Sequence, residues 1–212
     1  MPLNETKRMK VSIYIPCYND GEYLLRALNS IPVRDDIEVI FVDDGSTDDS
    51  LKIAKDFKSH TKLKMRIIAC DENQGISYAN NIGIDSCKGE YFYLIDADDY
   101  LYTEEFNKAI DQLDGTDIVY IWARTNENAV LKPSEKNHNL CAGWFKFIRT
   151  DFMEGYRRKI NCYGGDYEMW LALITKSHTS KYTDLLVYHY NYPREGSVTW
   201  KREHPTPTIS QD

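Results

Sequence analysis

The chain has 212 residues, of which 42% are hydrophobic and 28% charged, and its formal net charge is −7. A chain of this length forms one domain with a sizeable core, and its acidity withdraws electrostatic support from bulk nucleic-acid binding, a modified base as acceptor aside. No apolar stretch approaches the roughly 20 residues that a membrane span needs, so any expected membrane contact is peripheral. The opening residues 1–8 lack the apolar run of a signal peptide. The five Cys are an odd number with no CxxC pair, which argues against a disulfide framework or zinc site and fits reduced thiols in a cytoplasmic protein.

Apolar runs alternate with amphipathic stretches. Val11–Ile15 reads as a strand closed by Pro16, and Leu24, Leu25, Leu28 and Ile31 then recur at helical spacing. Ile37–Val42 is a second strand that runs into the turn 43–46, with Ser46 or Thr47 as cap of a helix bearing Ile53, Ala54 and Phe57. Met65–Ala69 is a third strand, followed by Asn73-Gln74-Gly75 and a helix carrying Ile76, Ala79 and Gly83. Tyr91–Ile95 is a fourth strand ending at Asp96. Beyond residue 100 the spacing predicts a helix over 103–113, a strand over 117–121, a polar loop over 125–139 and a short strand over 143–149. A helix follows over 167–174, then a Tyr-rich strand over 183–192 and a tail from 201.

Repeated strand–helix units predict a mostly parallel α/β sheet, and such sheets take ligands beyond the carboxyl ends of their strands. The polar clusters 16–20, 43–46 and 96–99 all fall at those ends. In the last, Asp96-Ala97-Asp98-Asp99 places three carboxylates within four residues, where a hard divalent cation relieves their repulsion. Asp43-Asp44-Gly45 suits close approach to a base or ribose, Tyr18 suits stacking, and Asn73-Gln74-Gly75 opens a helix whose amides attract phosphate. Gly164-Gly165-Asp166 opens a late helix with an acid suited to general-base work. Each cluster taken alone also fits an ordinary turn or cap. The basic residues Lys146, Arg149, Arg157, Arg158 and Lys159 suggest a local basic patch, and the five scattered His suggest packing rather than ligation. The absence of GxSxG, P-loop and GxGxxG motifs sets aside serine hydrolases, Walker-type NTPases and dinucleotide enzymes.

In order and spacing, the segments 11–19, Phe41–Asp48, 73–75 with 81–84, Leu94–Asp99, Gly165-Asp166 and 196–199 together resemble the family 2 glycosyltransferases, from about Val11 to Trp200. The resemblance implies a GT-A fold in a single domain over 1–212. Residues of about 9–100 would form a nucleotide-sugar half, and about 101–200 an acceptor half. It further implies an inverting transfer from a nucleotide-sugar, most often a UDP-sugar, to a hydroxyl on a glycan, lipid-linked, protein or other acceptor, at the membrane surface or away from it. Asp44, with Pro16, Tyr18, Asn19, Asn73 and Gly75, would hold the nucleotide. Asp96 and Ala97 would meet the ribose or sugar, and Asp98 with Asp99 would hold Mn²⁺ or Mg²⁺. Asp166 would be the base, and Trp144, Lys146, Arg149, Glu168 and Arg194 would lie on the acceptor side.

Three positions depart from the family pattern. Asn80 stands where Arg is common, Leu171-Ala172-Leu173 where an Arg often follows the base, and Tyr192-Pro193-Arg194-Glu195 where some members place a metal-binding His. These leave room for a direct Arg194–diphosphate contact. They also keep open a non-catalytic sugar-nucleotide-binding protein. A nucleotidyltransferase with a similar α/β core is the more remote alternative, since it would want a basic Gly-rich loop where 16–22 stands.

Overall fold

The computed structural model describes residues 9–134, 142–159, 165–176 and 178–203. Its first half is the expected alternation: β1 (Val11–Cys17), α1 (Gly21–Asn29), β2 (Ile37–Asp43), α2 (Ser50–His60), β3 (Lys64–Ala69), α3 (Ile76–Ser86) and β4 (Tyr91–Leu94). The second half adds β5 (Tyr100–Leu101), α4 (Thr103–Asp111), β6 (Ile118–Thr125), β7 (Val130–Leu131), β8 (Lys146–Arg149), α5 (Gly165–Ile174), β9 (Ser180–Tyr190) and α6 (Val198–Glu203). The sheet order is β3-β2-β1-β4-β8-β6-β9-β5, with β7 paired to β6.

The ladders through β3, β2, β1 and β4 are parallel. Past β4 the sheet is mixed, because β8 is antiparallel to both β4 and β6 while β9 is parallel to β6. Both faces are covered, so the strands are buried on every residue in β1, β2 and β4. Ile13, Ile15, Val39 and Phe41 face α1, α2 and α4, whose Leu24, Leu28, Ala54 and Phe106 share their core. Tyr14, Ile40 and Val42 face the other way, toward Ala79 and Ile84 of α3 and Met169 and Leu173 of α5.

Pro16 does not end β1. It lies within the strand, opposite Val42. Tyr14 accepts from the Ile95 N–H on the β4 side, and by alternation Pro16 turns the same way, beyond the last paired residue, Leu94. The N–H that proline lacks is therefore not needed there. The α2 cap also differs from expectation: the helix starts at Ser50, and the Asp48 carboxylate accepts from the Ser50 N–H at 2.9 Å. The polar loop after β6 contains the short hairpin strand β7, and its remainder over 135–141 lies outside the described residues, as does the tail over 204–212.

Candidate active site

The loops after β1, β2, β3 and β4 crowd the same edge of the sheet. Gly45 (φ +69°) is what lets two of them touch, since a Cβ there would lie 2.5 Å from the backbone of Glu72. Asp44 is 2% exposed. Its Oδ1 accepts from the Gln74 N–H (3.0 Å), and its Oδ2 from the Gly75 N–H (2.8 Å) and the Asn73 amide (3.1 Å). About one of the four acceptor positions of a carboxylate is left over. Asn73 and Gly75 thus act on Asp44. Asn19, expected at the nucleotide, spends its side-chain oxygen on the Thr47 and Asp48 N–H groups at 2.7 and 3.2 Å, bracing the loop because its own φ is +58°. Tyr18 is 45% exposed at this edge and makes no ring contact among the described residues.

The 96–99 segment is a turn closed by the Asp99 N–H to the Asp96 carbonyl at 3.0 Å. Tyr188 on β9 pins it: its hydroxyl donates to Asp99 Oδ2 (2.6 Å) and accepts from the Asp96 N–H (3.1 Å). The Asn191 N–H takes the other Asp99 oxygen at 2.7 Å. Asp99 is fully buried with both oxygens engaged, which corrects its expected place as a metal ligand. It anchors the turn that presents Asp98 instead. Trp144 stacks on Tyr188 (4.6 Å, 5°), and its carbonyl accepts from the Tyr93 hydroxyl at 2.7 Å.

Asp98 faces cations. Arg194 meets its Oδ2 at 2.8 Å and Asp20 at 3.4 Å, while Arg26 donates to the Asp98 carbonyl at 2.8 Å. Both guanidinium groups lie over the Tyr23 ring. Across the site, Arg158 meets Asp166 Oδ1 at 2.8 Å. Asp20, Asp98, Asp166 and Arg158 all lie close enough to Asp96 to act on its ionisation. Burial, then Asp98 and Asp166, push the Asp96 carboxyl well above the usual carboxylate range, with Arg158 pulling the other way. Burial and Asp98 push Asp20 up to about 6 against the pull of Arg194. A cluster whose carboxylates resist ionising favours any positive charge brought to it.

The acceptor side needs the largest corrections. Trp144 is a core residue, 5% exposed. Lys146 is 1% exposed, and its ammonium donates to the Ala142 carbonyl at 2.9 Å. Arg149 pairs in register with Tyr91 at the start of β4, so it sits at the opposite edge of the sheet, held by Asp117 at 2.9 Å. Glu168 pairs with Lys159 at 3.2 Å. Arg194 meets Asp98 and Asp20. The expected basic patch is dispersed: Lys146 is buried in the core, and Arg149, Arg157, Arg158 and Lys159 are taken up in ion pairs with Asp117, Asp85, Asp166 and Glu168. His189 stacks on Tyr100 and bonds to Tyr102 and Asn126, as a packed histidine does. Gly164 lies outside the described residues.

Sequence reasoning passed over Arg158 as a site residue, along with Tyr188, Asp20 and Arg26. Arg158 looked like one cation in a basic run, and only its 5% exposure marks it out. Tyr188 carried a faint signal, a polar-tipped ring in a strand expected to be buried.

The family model for glycosyl transferase family 2 matches residues 12–173. The chain belongs to that family. Among similar proteins, the teichoic acid poly(glycerol phosphate) polymerase of Staphylococcus epidermidis is 28% identical over 209 residues, 87% of this chain and 28% of the polymerase. The chondroitin synthase of Escherichia coli is 35% identical over 105 residues, 48% of this chain and 15% of the synthase. The fold agrees with that of S. aureus TarS 1-349 in complex with UDP-GlcNAc, at TM-score 0.74, 22% identity, and coverage of 89% of this chain and 60% of that one. It agrees also with the mannosyltransferase PcManGT from Pyrobaculum calidifontis in complex with GDP-Man and Mn²⁺, at TM-score 0.72, 18% identity, and coverage of 94% and 61%. The expected GT-A fold is therefore present, and this chain spans under two thirds of the length of each of these proteins. Among the described residues, no helix is long and apolar enough to cross a membrane.

Proposed function

We propose that this chain is an inverting glycosyltransferase that moves a sugar from a nucleoside diphosphate sugar, a UDP-sugar in the first instance, to an acceptor hydroxyl. The observation that carries the reading is the gathering of acids at one sheet edge: Asp44 follows β2 there, and Asp98 and Asp166 both lie close enough to Asp96 to act on its ionisation. The family membership and the UDP-GlcNAc bound by TarS support it. Residues of the first half hold the donor and those of the second half meet the acceptor, which is a glycan or another hydroxyl-bearing molecule.

Tyr18 offers a stacking face for the base, and the remaining acceptor position of Asp44 suits a single base N–H. Pro16 is buried within β1, and Ala97 is packed in the core beneath this edge. Asp98 is the residue that would hold Mn²⁺ or Mg²⁺. Among the described residues no three His, Cys, Asp or Glu are disposed to hold a metal by themselves. One carboxylate fits a cation that arrives on phosphate oxygens, as Mg²⁺ commonly does. Bound there, the cation would neutralise charge developing on the leaving diphosphate. Asp166 takes the proton of the attacking hydroxyl. The acceptor oxygen bonds to the anomeric carbon as the carbon–phosphate oxygen bond breaks, and the nucleoside diphosphate leaves with the electron pair.

A panel of UDP-, GDP- and dTDP-sugars screened by thermal shift with Mn²⁺ identifies the donor. Calorimetry on Asp98→Ala should show weakened metal-dependent UDP binding, and binding equal to wild type removes the metal role. Asp166→Asn, assayed well below its unfolding temperature, should bind UDP but neither transfer nor hydrolyse the donor. Full activity in that variant rejects the base.

A further inference from the structure

Arg158 is 5% exposed, and a buried guanidinium is tolerated only where its charge and donors are met. The carboxylate it touches is Asp166, through Nη1 to Oδ1 at 2.8 Å. Its Nη2 reaches the Met169 sulfur at 3.7 Å, and its Nε makes no hydrogen bond among the described residues. The guanidinium has therefore not been placed by a general network. One carboxylate oxygen fixes it, and it fixes that oxygen.

The backbone under Arg158 is held as well. Asn81 on α3 accepts from the Arg158 N–H and donates to the Arg158 carbonyl, each at 2.8 Å. The pair lies against two glycines. A Cβ at Gly143 would come 3.2 Å from Arg158 Nη2 and 3.4 Å from Asp166 Oδ1, and one at Gly165 would come 3.5 Å from Arg158 Nη1. Asp166 is nonetheless 41% exposed at its side chain, and its Oδ2 makes no hydrogen bond among the described residues. One oxygen is tied to a buried, anchored cation, while the other has no hydrogen-bond partner among the described residues on a side chain that is two-fifths exposed.

We propose that Arg158 is the positioning residue for the base: it grips Asp166 Oδ1 so that Oδ2 is aimed at the acceptor hydroxyl. This rests on the reading of Asp166 as base. The arrangement separates two duties that a lone surface Asp cannot combine, a fixed orientation and an unoccupied proton-accepting oxygen. It also gives Asn81 a task, that of docking the segment which carries Arg158 onto α3.

The test uses the full chain, with UDP-N-acetylglucosamine and Mn²⁺ as probe and release of UDP as readout. In Arg158→Met, kcat should fall about 100-fold, while UDP affinity stays within about twofold of wild type. Added guanidinium should recover part of kcat in Arg158→Ala. Arg158→Lys keeps the charge but loses the planar fork, so kcat should fall about tenfold with donor KM unchanged. It also serves if Arg158→Met does not fold. Unchanged kcat in folded Arg158→Lys overturns the proposal, as does a loss of UDP affinity that matches the loss of kcat. If Asp166→Asn is inactive while Arg158→Lys is as fast as wild type, only the positioning role fails. If Asp166→Asn is fully active, the base fails and the positioning role fails with it.

Discussion

Replacing Asp166 by Asn tests more than catalysis, because it removes the counter-ion of a buried arginine. The two side chains are 4% and 41% exposed and meet at 2.8 Å. Breaking a fully buried pair costs about 3–5 kcal/mol, because the surviving charge is left without compensation. An exposed pair contributes roughly 0–1 kcal/mol. With one partner buried and the other two-fifths exposed, the expected cost of Asp166→Asn is about 2 kcal/mol. For a chain of this size each kcal/mol moves Tm by about 2–4 °C, so the variant should melt roughly 4–8 °C below wild type. Arg158→Met/Asp166→Asn should recover much of that loss, since no buried charge remains, and should stay inactive. Thermal unfolding of the two single variants and the double variant gives the coupling directly. A Tm for Asp166→Asn within about 1 °C of wild type, together with a coupling below about 0.5 kcal/mol, would refute the reasoning. The Arg158–Asp166 contact would then not be holding charge in solution.

Asp99→Asn should lose about 2 kcal/mol of stability, because both oxygens serve the turn, yet leave calorimetric Mn²⁺·UDP binding within a fewfold of wild type. Asp98→Asn should show the reverse pattern. Gly83→Ala should destabilise by about 1–3 kcal/mol despite the better helix propensity of Ala, because the new methyl would meet the Tyr14 ring at 2.4 Å; a raised Tm would contradict that packing. Asp20 titrates near 6 when folded, above its unfolded value. The native state therefore holds the extra proton between about pH 4 and 6, and the associated stability is lost as pH rises through that window. Relative to metal-free wild type, Asp20→Asn should gain roughly 1–2 kcal/mol between pH 4 and 7, measured by urea unfolding, and a flat difference would sink this assignment.

The first half of the fold was legible because its signals are local. Each of β1, β2 and β4 is a run of apolar residues long enough to be buried on both faces, and each ends in a polar cluster. Parallel connection then places those clusters on one edge whatever the details of packing. The second half was less legible because its strands pair out of chain order. Nothing in 146–149 announces that β8 inserts antiparallel between β4 and β6. That insertion buries Lys146, carries Arg149 to the far edge and turns a presumed acceptor surface into core.

Sequence by itself determined the family and the sheet edge on which Asp44, Asp96 and Asp98 lie, since residue type and spacing along single strands suffice for those. Tertiary structure alone decided the division of labour within Asp96-Ala97-Asp98-Asp99. Asp98 and Asp99 are neighbours with the same side chain, and no local rule separates them. What separates them is Tyr188, 89 residues away, whose hydroxyl claims Asp99, and Arg194, which waits at Asp98. The same holds for Arg158, one cation among several in the sequence, which burial against Asp166 sets apart.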